Sequence, residues 1–277
     1  MEGDVSQIHA TDVADLYSRV ASRYGATGPA VFAHFGRRLV DLVALAPGER
    51  VLDVGAGRGA ILFPATACVG ARGGVVGIDV AAAMVEETGA EIARAGLANA
   101  TMRAMDGERL AFPDASFDAV LCGFTLFFLD IERALNEFYR VLQVGGHLAV
   151  TCGAGLDERW RWYNDLLLAY HEAYGMPLSP PRRGAAWAPA DLPHIVARAG
   201  FRVVRAVTEE AEFTYADEQE WWEAKWTHGA RYPLERMRAD VLDRFRAEAF
   251  ARLAPLRQPD GFHERWRTLA VIGSRPA

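Results

Sequence analysis

The sequence predicts an α/β fold in which a doubly wound, mostly parallel sheet of seven strands follows N-terminal helices and carries a helical lid. Three observations support this class. Residues 51–59, VLDVGAGRG, have the pattern of a buried strand that runs into a glycine-rich turn. Strand and helix patterns alternate from there to residue 152. The 277 residues, 51% of them hydrophobic, suffice for one large domain with a full core.

The elements up to the fifth strand follow from hydrophobic spacing. Apolar side chains at helical intervals predict two helices, over residues 11–24 and 29–46. Short apolar and β-branched runs predict strands at residues 51–55, 74–79, 100–105, 117–123 and 147–152. Helices are expected between them at residues 61–69, 81–95 and 130–142, and glycines follow the last two.

The C-terminal part is richer in aromatic residues and helices. We predict, in order, helices at 157–174 and 190–199, a strand at 201–208, a helical insertion at 217–253 and a strand at 265–274. The whole is interpreted as one composite domain. Its parts are a helical cap at 1–48, a cofactor-binding core at 49–155, a lid segment at 156–200, and the last two strands at 201–277 with the insertion at 217–254.

Composition excludes several classes of function. The net charge of −6 gives no electrostatic reason to expect a nucleic-acid partner. The chain has no signal-peptide core and no apolar run of ~18 residues, so neither export nor a membrane span is expected. Cys68, Cys122 and Cys152 are widely separated in apolar stretches, which indicates small core residues in a reducing cytoplasm. A homodimer is left open.

The glycine turn by itself allows two cofactors. Gly55, Gly57 and Ala60 also match the dinucleotide pattern of a dehydrogenase. Asp79 ends the second strand, where a carboxylate can accept hydrogen bonds from both ribose hydroxyls. Asp106 follows the third strand and can accept from the exocyclic amine of an adenine. These positions indicate an adenosine-containing cofactor across the first three strands.

Four motifs carry a resemblance to a known family. They are VLDVGAGRG, VVGIDVAAAMVEET, AMDGERLAFPDASFDAVLCGF and RALNEFYRVLQVGGHLAVT, within residues 31–151. In order and spacing the chain resembles the class I S-adenosylmethionine-dependent methyltransferases, closest to the ubiquinone/menaquinone-type and natural-product small-molecule branch. The resemblance implies a Rossmann-like methyltransferase fold, S-adenosylmethionine as cofactor and S-adenosylhomocysteine as product.

The resemblance also implies which residues contact the cofactor. The glycine turn would line the methionine and ribose, Asp79 the ribose hydroxyls, and the turn after the third strand the adenine edge. Asp53 would order the turn or a water near the ammonium group, although it could equally be a strand-end hydrogen-bonding residue. The full set of expected contacts is Tyr24, Asp53, Gly55, Ala56, Gly57, Asp79, Val80, Met84, Asp106, Gly107, Cys122 and Gly123.

Methyl transfer from a sulfonium is an in-line displacement, so the acceptor atom must lie on the C–S axis in a water-poor pocket. The density of tryptophans between residues 160 and 226 predicts a large apolar or aromatic acceptor, although each tryptophan alone could simply pack the lid. The expected substrate pocket is Tyr17, Phe127, Tyr163, Trp187, Trp222, Trp226, Arg182 and Arg231. No cluster has metal-ligand spacing, and no metal site is predicted.

Three residues are candidates for acid–base chemistry: Glu172, His171 and His228. Glu172 is preferred, because an aromatic helix would desolvate its carboxyl group and raise its pKa. Each of the three could instead be an ordinary surface or structural side chain. Arg182, Arg183, Lys225, His228 and Arg231 could form a basic rim for a carboxylate or diphosphate.

The preferred function is methyl transfer to oxygen, nitrogen or carbon of a lipophilic small molecule in natural-product metabolism. One alternative is C-methylation of a prenyl diphosphate or terpenoid, with Glu172 as the base and magnesium as an open question. Alternatives of another class are an NAD-dependent oxidoreductase and a cyclase or binding module that retains the cofactor without methylating.

Overall fold

The computed structural model describes residues 5–155, 157–180 and 183–277, with side chains described from residue 12 onward. It contains a seven-stranded sheet whose strands are β1 Arg50–Val54, β2 Gly74–Asp79, β3 Ala100–Ala104, β4 Phe117–Gly123, β5 Leu142–Gly153, β6 Arg202–Tyr215 and β7 Phe262–Ser274. The strand order is β3-β2-β1-β4-β5-β7-β6, and β7 runs antiparallel to both of its neighbours. The predicted fold class is confirmed.

Ten α-helices lie in the described ranges. They are α1 Val5–Val20, α2 Val31–Val43, α3 Leu62–Val69, α4 Ala82–Arg94, α5 Ile131–Val141, α6 Arg161–Tyr174, α7 Leu192–Arg198, α8 Glu218–Lys225, α9 Arg231–Leu234 and α10 Ala239–Leu253. The start of α5 shows how local sequence sets a boundary, because the Asp130 side chain accepts a hydrogen bond from the Arg133 N–H at 3.2 Å. The predicted helical insertion consists of three helices, α8, α9 and α10.

Two hydrophobic layers cover the two faces of the sheet, because successive side chains of a strand point to opposite faces. Helices α2, α3 and α4 pack on the face that carries Val51 and Leu121. Helices α5 and α7 pack on the opposite face, against Leu52 and Val120. Because adjacent residues of one strand are both fully buried, the central strands have the near-continuous apolar sequences that identified them.

The predictions for the last three strands were too short, and β7 begins at Phe262 instead of residue 265. β5 begins at Leu142, directly after α5, so the predicted start at residue 147 is wrong. β6 continues to Tyr215 instead of ending near 208, and it pairs with β7 along its length from Arg202 with Ser274 to Tyr215 with Phe262. The extension is charged on its exposed side and was therefore not recognised as a strand. Pairing with β7 satisfies its backbone groups and carries α8, α9 and α10 away from the sheet.

The lid helices form a core of their own. α6, α8 and α10 and the ends of β6 and β7 enclose a cluster of aromatic and aliphatic side chains, the lid cluster. Its buried members are Trp160, Leu166, Tyr215, Trp221, Trp222, Ala224, Leu234, Phe245, Ala249, Leu253 and Phe262. The predicted helical lid is present. Most of its tryptophans pack within the lid cluster.

The contact between α2 and the loop before α3 depends on a glycine. A Cβ atom at Gly36 would lie 2.5 Å from the carbonyl oxygen of Ala60, whereas a Cβ at Gly89 on α4 would meet nothing within 4 Å.

We expect Gly36→Ala to lower the free energy of unfolding by about 1–3 kcal/mol through overpacking. Gly89→Ala, the control, should raise it by up to about 1 kcal/mol through helix propensity. Urea denaturation measures both, and an unchanged Gly36→Ala midpoint would contradict this packing.

Candidate functional site

One cavity of about 680 Å³ opens at the carboxyl ends of β1, β2 and β4. This is the point where β1 has β2 on one side and β4 on the other, the place where open α/β sheets bind ligands. A second cavity of about 570 Å³ lies near the start of β6 and the C-terminus, lined by Arg202, Arg205 and Arg275 among others, and it contains none of the predicted site residues. The first cavity is therefore the candidate active site.

The glycine turn forms the floor of the cavity. Gly55, Gly57 and Gly59 have φ angles of 70°, 50° and 80°, a region that side-chain-bearing residues rarely adopt. A Cβ at Gly55 would collide with Thr125, whereas one at Gly57 would meet only the Gly55 carbonyl oxygen, at 4.0 Å. The backbone at Gly57 is thus bare toward the cavity and can approach a ligand closely.

Asp79 holds the turn against the end of β2. Its Oδ2 accepts the Gly57 N–H and its Oδ1 accepts the Ala81 N–H, both at 2.9 Å. The Gly55 and Ala56 N–H groups each donate to the Ile78 carbonyl at 2.9 Å. Both carboxylate oxygens of Asp79 retain a lone pair, so the residue can accept further hydrogen bonds from a ligand.

Asp53 is a buried carboxyl group, with only 1% of its surface exposed. Neither of its oxygens makes a hydrogen bond of good geometry among the described residues, and the nearest donor, the Leu62 N–H, acts only weakly against the rise in its pKa. Burial, with a smaller contribution from the charge of Asp79, raises its pKa to about 8. Such a carboxyl group suits a cationic ligand, whose charge would compensate the cost of ionising it.

Asp106 lines the cavity as predicted, with a partner that the sequence did not reveal. Arg183, which is 7% exposed, donates through Nη1 to Asp106 Oδ2 at 2.8 Å and lies 2.9 Å from Glu108 Oε1. The pKa of Glu108 is raised mainly by burial. Arg183 belongs to the proline-rich connection, 77 positions from Asp106. Because the two residues are so far apart in the sequence, their spacing does not predict that they form a pair. From the sequence, Arg183 was expected only in a basic rim.

Two tyrosines, Tyr17 and Tyr24, also line the cavity. The rings of Tyr17 and Tyr24 have centroids 6.2 Å apart, and both residues line the cavity. Burial raises the pKa of both phenols, so they stay protonated at neutral pH. The Tyr17 hydroxyl lies beside Gly229, because a Cβ there would be 3.0 Å from its oxygen. Tyr17 therefore connects α1 with the loop that follows α8.

The structure brings together nearly all predicted cofactor contacts. Lining the cavity are Tyr24, Asp53, Gly55, Ala56, Gly57, Asp79, Val80, Met84, Asp106, Gly107 and Gly123. Cys122 is the exception, since it is fully buried in the core on the α5 side and does not line the cavity. Residues on one strand alternate between faces, so Cys122 and its neighbour Gly123 have different surroundings.

A group of aromatic rings that also lines the cavity, here called the aromatic end, consists of Phe32, Phe124, His228 and Trp266, and the Tyr24 ring stacks on Phe32 with centroids 5.8 Å apart. The Phe32 ring packs edge-on against the other three, with centroid distances of 5.3 Å to Phe124, 5.9 Å to His228 and 6.1 Å to Trp266. Sequence analysis missed Phe32, Phe124 and Trp266, because their spacing reads equally well as helix or strand core. Of the expected pocket residues, Tyr17 and Phe127 line the cavity.

The other expected pocket residues lie elsewhere. Tyr163, Trp222 and Trp226 pack in or against the lid cluster, so the prediction that they face the substrate is wrong for this cavity. Trp187 packs against the core beside α5 and α7. Arg231 pairs with Glu235 at 2.8 Å and does not line the cavity, and Arg182 lies outside the described residues. Large aromatic side chains bury much area when they pack on one another, and helical spacing alone does not show which partners they pack against.

The acid–base candidates divide in the same way. Glu172 is exposed on α6 and away from the cavity, so the expected desolvation of its carboxyl group is wrong. The amphipathic helix turns this position outward. The Nδ1 of His171 is hydrogen-bonded to the Met176 carbonyl, and this residue also lies outside the cavity lining. Lys225, expected at a basic rim, is buried beside Tyr163, Tyr215 and Trp221.

His228 alone of the three lines the cavity. Its Nδ1 accepts the Ala230 N–H at 3.3 Å, so the neutral ring is assigned its proton on Nε2. Burial, and secondarily the charge of Lys225, lowers its pKa to about 3. His228 is consequently neutral at physiological pH and arranged as a hydrogen-bond donor rather than as a base.

Three further sequence expectations can be compared with the structure. Within the described ranges, no grouping of three or more His, Cys, Asp or Glu side chains could hold a metal ion. Among the helices described, none is long and apolar enough to span a bilayer. Cys122 and Cys152 are buried as expected, whereas Cys68 is exposed near the end of α3, so its assignment to the core is wrong.

Comparison with known proteins places this site in a family. Residues 52–150 match the family model described as a methyltransferase domain. The chain is 34% identical over 240 residues to the nocamycin O-methyltransferase of Saccharothrix syringae, a match that covers 81% of this chain and 85% of that protein. It is 43% identical over 140 residues to aklanonic acid methyltransferase DauC of Streptomyces sp. (strain C5), covering 50% of this chain and 64% of that protein.

A solved structure shows the same fold. Geranyl diphosphate C-methyltransferase from Streptomyces coelicolor A3(2), in complex with Mg²⁺, geranyl diphosphate and S-adenosyl-L-homocysteine, matches with a TM-score of 0.54 and 14% identity, covering 87% of this chain and 78% of that one. The fold and site define a class I methyltransferase. The chain belongs to the S-adenosylmethionine-dependent methyltransferases, while its match to the aklanonic acid enzyme spans less than two thirds of that enzyme's length.

The described residues fit S-adenosylmethionine. The cofactor carries positive charge on its sulfonium and ammonium groups, and Asp53 is a buried carboxyl group with no described partner. The bare backbone at Gly57 and the spare lone pairs of Asp79 suit a ribose and its substituents. Burial of Met84, which has 1% of its surface exposed, provides an apolar wall on the same side.

The raised pKa of Asp53 predicts a pH-dependent stability. Between the ordinary pKa of 3.8 and about 8, the folded chain holds a proton that the unfolded chain has released. Stability therefore falls as pH rises through this window, by at most about 1.4 kcal/mol per pH unit for one group. We expect Asp53→Asn to gain stability over the native chain from pH 5 to pH 8 and then level off in thermal denaturation. Asp243→Asn, on the exposed side of α10, is the control, and parallel curves for all three proteins would contradict the burial argument.

Removal of the Arg183 cation should destabilise the fold. Arg183→Gln would leave Asp106 and Glu108 as neighbouring carboxylates, and we expect a loss of about 1–3 kcal/mol at neutral pH that shrinks in acid. The exposed pair of Arg161 with Glu158 at 3.0 Å provides the control Arg161→Gln, expected within about 0.5 kcal/mol of the native chain. Chemical denaturation at pH 7 and pH 4.5 measures both variants. Equal effects at the two positions would show that Arg183 has no special role.

Proposed function

We propose that this methyltransferase transfers the methyl group of S-adenosylmethionine to an oxygen atom of a lipophilic, aromatic small molecule in specialised metabolism. One observation carries the proposal: a single cavity joins a glycine turn flanked by three carboxyl groups to an end built from aromatic rings. The relative named nocamycin O-methyltransferase supports oxygen as the acceptor atom, and together with the relative named aklanonic acid methyltransferase it supports a natural product as the substrate.

The cofactor, when bound, supplies an electrophilic methyl group on its sulfonium. The chain's own residues would bind and orient it: Asp53 opposite the ammonium group, Asp79 on the ribose hydroxyls, and Asp106 with Gly107 at the adenine edge. Val80 and Met84 would pack on the adenine. All of these residues line the cavity, and Arg183 holds the Asp106 carboxylate in place.

The aromatic end would exclude water and hold the acceptor in line with the sulfur–methyl bond. Phe32, Phe124 and Trp266 present carbon surfaces there, and the Tyr24 ring stacks on Phe32. Alignment of two reactants in a dry pocket supplies much of the rate increase in such displacements, without a nucleophile on the protein. A cytoplasmic location is also proposed, supported by three free cysteines in the described ranges.

The three alternative functions, an oxidoreductase, a C-methyltransferase and a cyclase, are not equally supported. The oxidoreductase is set aside because the chain belongs to the methyltransferase family. C-methylation of a prenyl diphosphate needs a base, and Glu172, which was expected to serve, is exposed away from the cavity. A cyclase that retains the cofactor would bind S-adenosylhomocysteine without transferring a methyl group, so it is an outcome of the experiment below.

Calorimetric titration with S-adenosylhomocysteine and with NAD tests cofactor binding. We expect S-adenosylhomocysteine alone to bind, and Asp79→Asn to weaken it about 10-fold or more, since hydrogen bonds to a charged group are lost. Asp114→Asn is the control, because the Asp114 side chain is 77% exposed. Binding of NAD alone would refute the cofactor assignment. Transfer of a labelled methyl group to a panel of aromatic acceptors then tests catalysis, and binding without transfer to any acceptor would favour the cyclase.

A further inference from the structure

We propose that Arg58 is a positioning residue for S-adenosylmethionine, because it holds the N-terminal helix against the glycine turn and thereby fixes one side of the cavity. The part of the chain concerned is the α1 segment, residues 12–24, which ends with a 3₁₀ turn at Ala21–Arg23. The inference uses only the cofactor of the family and does not depend on which acceptor is methylated.

Arg58 connects three parts of the molecule through one guanidinium group. It belongs to the glycine turn, lines the cavity, and has a side chain only 18% exposed. Its Nη1 donates to the Ala21 carbonyl in the α1 segment at 2.6 Å. Its Nη2 donates to the Glu91 carboxylate on α4, and Nη1 also lies 3.6 Å from Glu87 Oε2. A planar guanidinium group can serve a carbonyl and a carboxylate together, whereas the ammonium group of a lysine is a single point of charge.

The Ala21 carbonyl also determines where Tyr24 lies. It accepts the Tyr24 N–H at 3.5 Å, which closes the 3₁₀ turn, and Tyr24 lines the cavity. Arg58 therefore acts on Tyr24 through a backbone oxygen that accepts from both residues. Ala21 itself is buried in one cluster with Met84, which is an apolar wall of the cavity. The position of the α1 segment thus decides how this side of the cavity is formed.

The glycine turn is held independently of the α1 segment. Gly57, which precedes Arg58, donates its N–H to Asp79 and accepts the Thr88 hydroxyl with its carbonyl at 2.7 Å. These two bonds remain when the Arg58 guanidinium is removed. We therefore expect the loss of this group to displace the α1 segment and to leave the cradle of the turn in place.

The Arg58 contact is better buried than the ion pair that joins the same segment to the lid helices. In that pair, Arg19 with Glu235, the arginine side chain is 42% exposed, and exposed pairs contribute little. The Nε of Arg58 is buried and makes no hydrogen bond among the described residues. Burial of such an N–H costs free energy, so the two Nη contacts must outweigh that cost. Without them the segment should open more often, and the apparent affinity for a ligand falls with the fraction of closed protein.

Two measurements on Arg58→Gln test the inference: calorimetric titration with S-adenosylhomocysteine, and tryptic cleavage after Arg23 followed by mass spectrometry. We expect the affinity to fall about 10-fold, because charge-assisted hydrogen bonds that hold the segment are lost. Cleavage after Arg23 should accelerate about 10-fold, since proteolysis follows the population of the open form. Saturating S-adenosylhomocysteine should slow this cleavage in both proteins. Arg58→Lys, whose ammonium group can reach one partner, should restore part of both properties.

Arg94→Gln is the matched control. Arg94 lies on α4, 3.9 Å from the same Glu91 carboxylate, and its side chain is 69% exposed. The substitution removes an arginine from the surroundings of Glu91 without changing the bond to Ala21. We expect Arg94→Gln to bind S-adenosylhomocysteine with native affinity and to be cleaved after Arg23 at the native rate.

Four results would overturn the inference. These are native affinity in Arg58→Gln, an unchanged rate of cleavage after Arg23, equal losses in Arg94→Gln, and cleavage that accelerates equally at sites throughout the chain, which would show that Arg58 supports the whole fold. If Arg58→Gln does not fold, Arg58→Lys decides by the same measurements: weaker binding with faster cleavage after Arg23 supports the inference, and native values overturn it. Failure of the native chain to bind S-adenosylhomocysteine would refute the cofactor assignment and the inference with it.

Discussion

The attachment of the glycine turn to the end of β2 is the constraint on which the rest of the site depends. Asp79 accepts N–H groups from Gly57 and Ala81, and the Ile78 carbonyl accepts those of Gly55 and Ala56. These bonds fix a backbone that other residues could hardly adopt, because Gly55 and Gly57 have positive φ. The cavity forms above this turn, at the point where β1 separates β2 from β4.

Charge is distributed unevenly along the cavity. Asp53, Asp79 and Asp106 lie at the cofactor end, whereas Phe32, Phe124 and Trp266 form the other end with the neutral His228. This division matches a cationic cofactor and a lipophilic acceptor, since carboxylates are tolerated in a buried site only when a cation or hydrogen bonds compensate them. Among the residues that the structure describes, the members of the aromatic end carry no ionised group of their own.

The helical additions serve two purposes. α6, α8 and α10 bury their tryptophans and phenylalanines in the lid cluster, so most of the aromatic content of this region stabilises the lid. The connections beside these helices reach the cavity instead. The loop after α8 brings His228 against Phe32 and Gly229 against Tyr17, and the proline-rich connection brings Arg183 to Asp106. The lid therefore has a small core of its own, and the loops that connect its helices complete the site.

Local sequence determined the first four strands, the end of the fifth, the glycine turn and the residues after β1, β2 and β3 that line the cavity, because consecutive motifs at strand ends meet at one edge of a parallel sheet. Only the tertiary structure decided the acceptor side. Phe32, Phe124 and Trp266 come from a helix, a strand end and the last strand, and Arg183 reaches Asp106 across 77 positions. Such contacts have no fixed spacing. A helical pattern of tryptophans shows which side chains are buried, but the pairing of β6 with β7 and the packing of α10 determine what they are buried against.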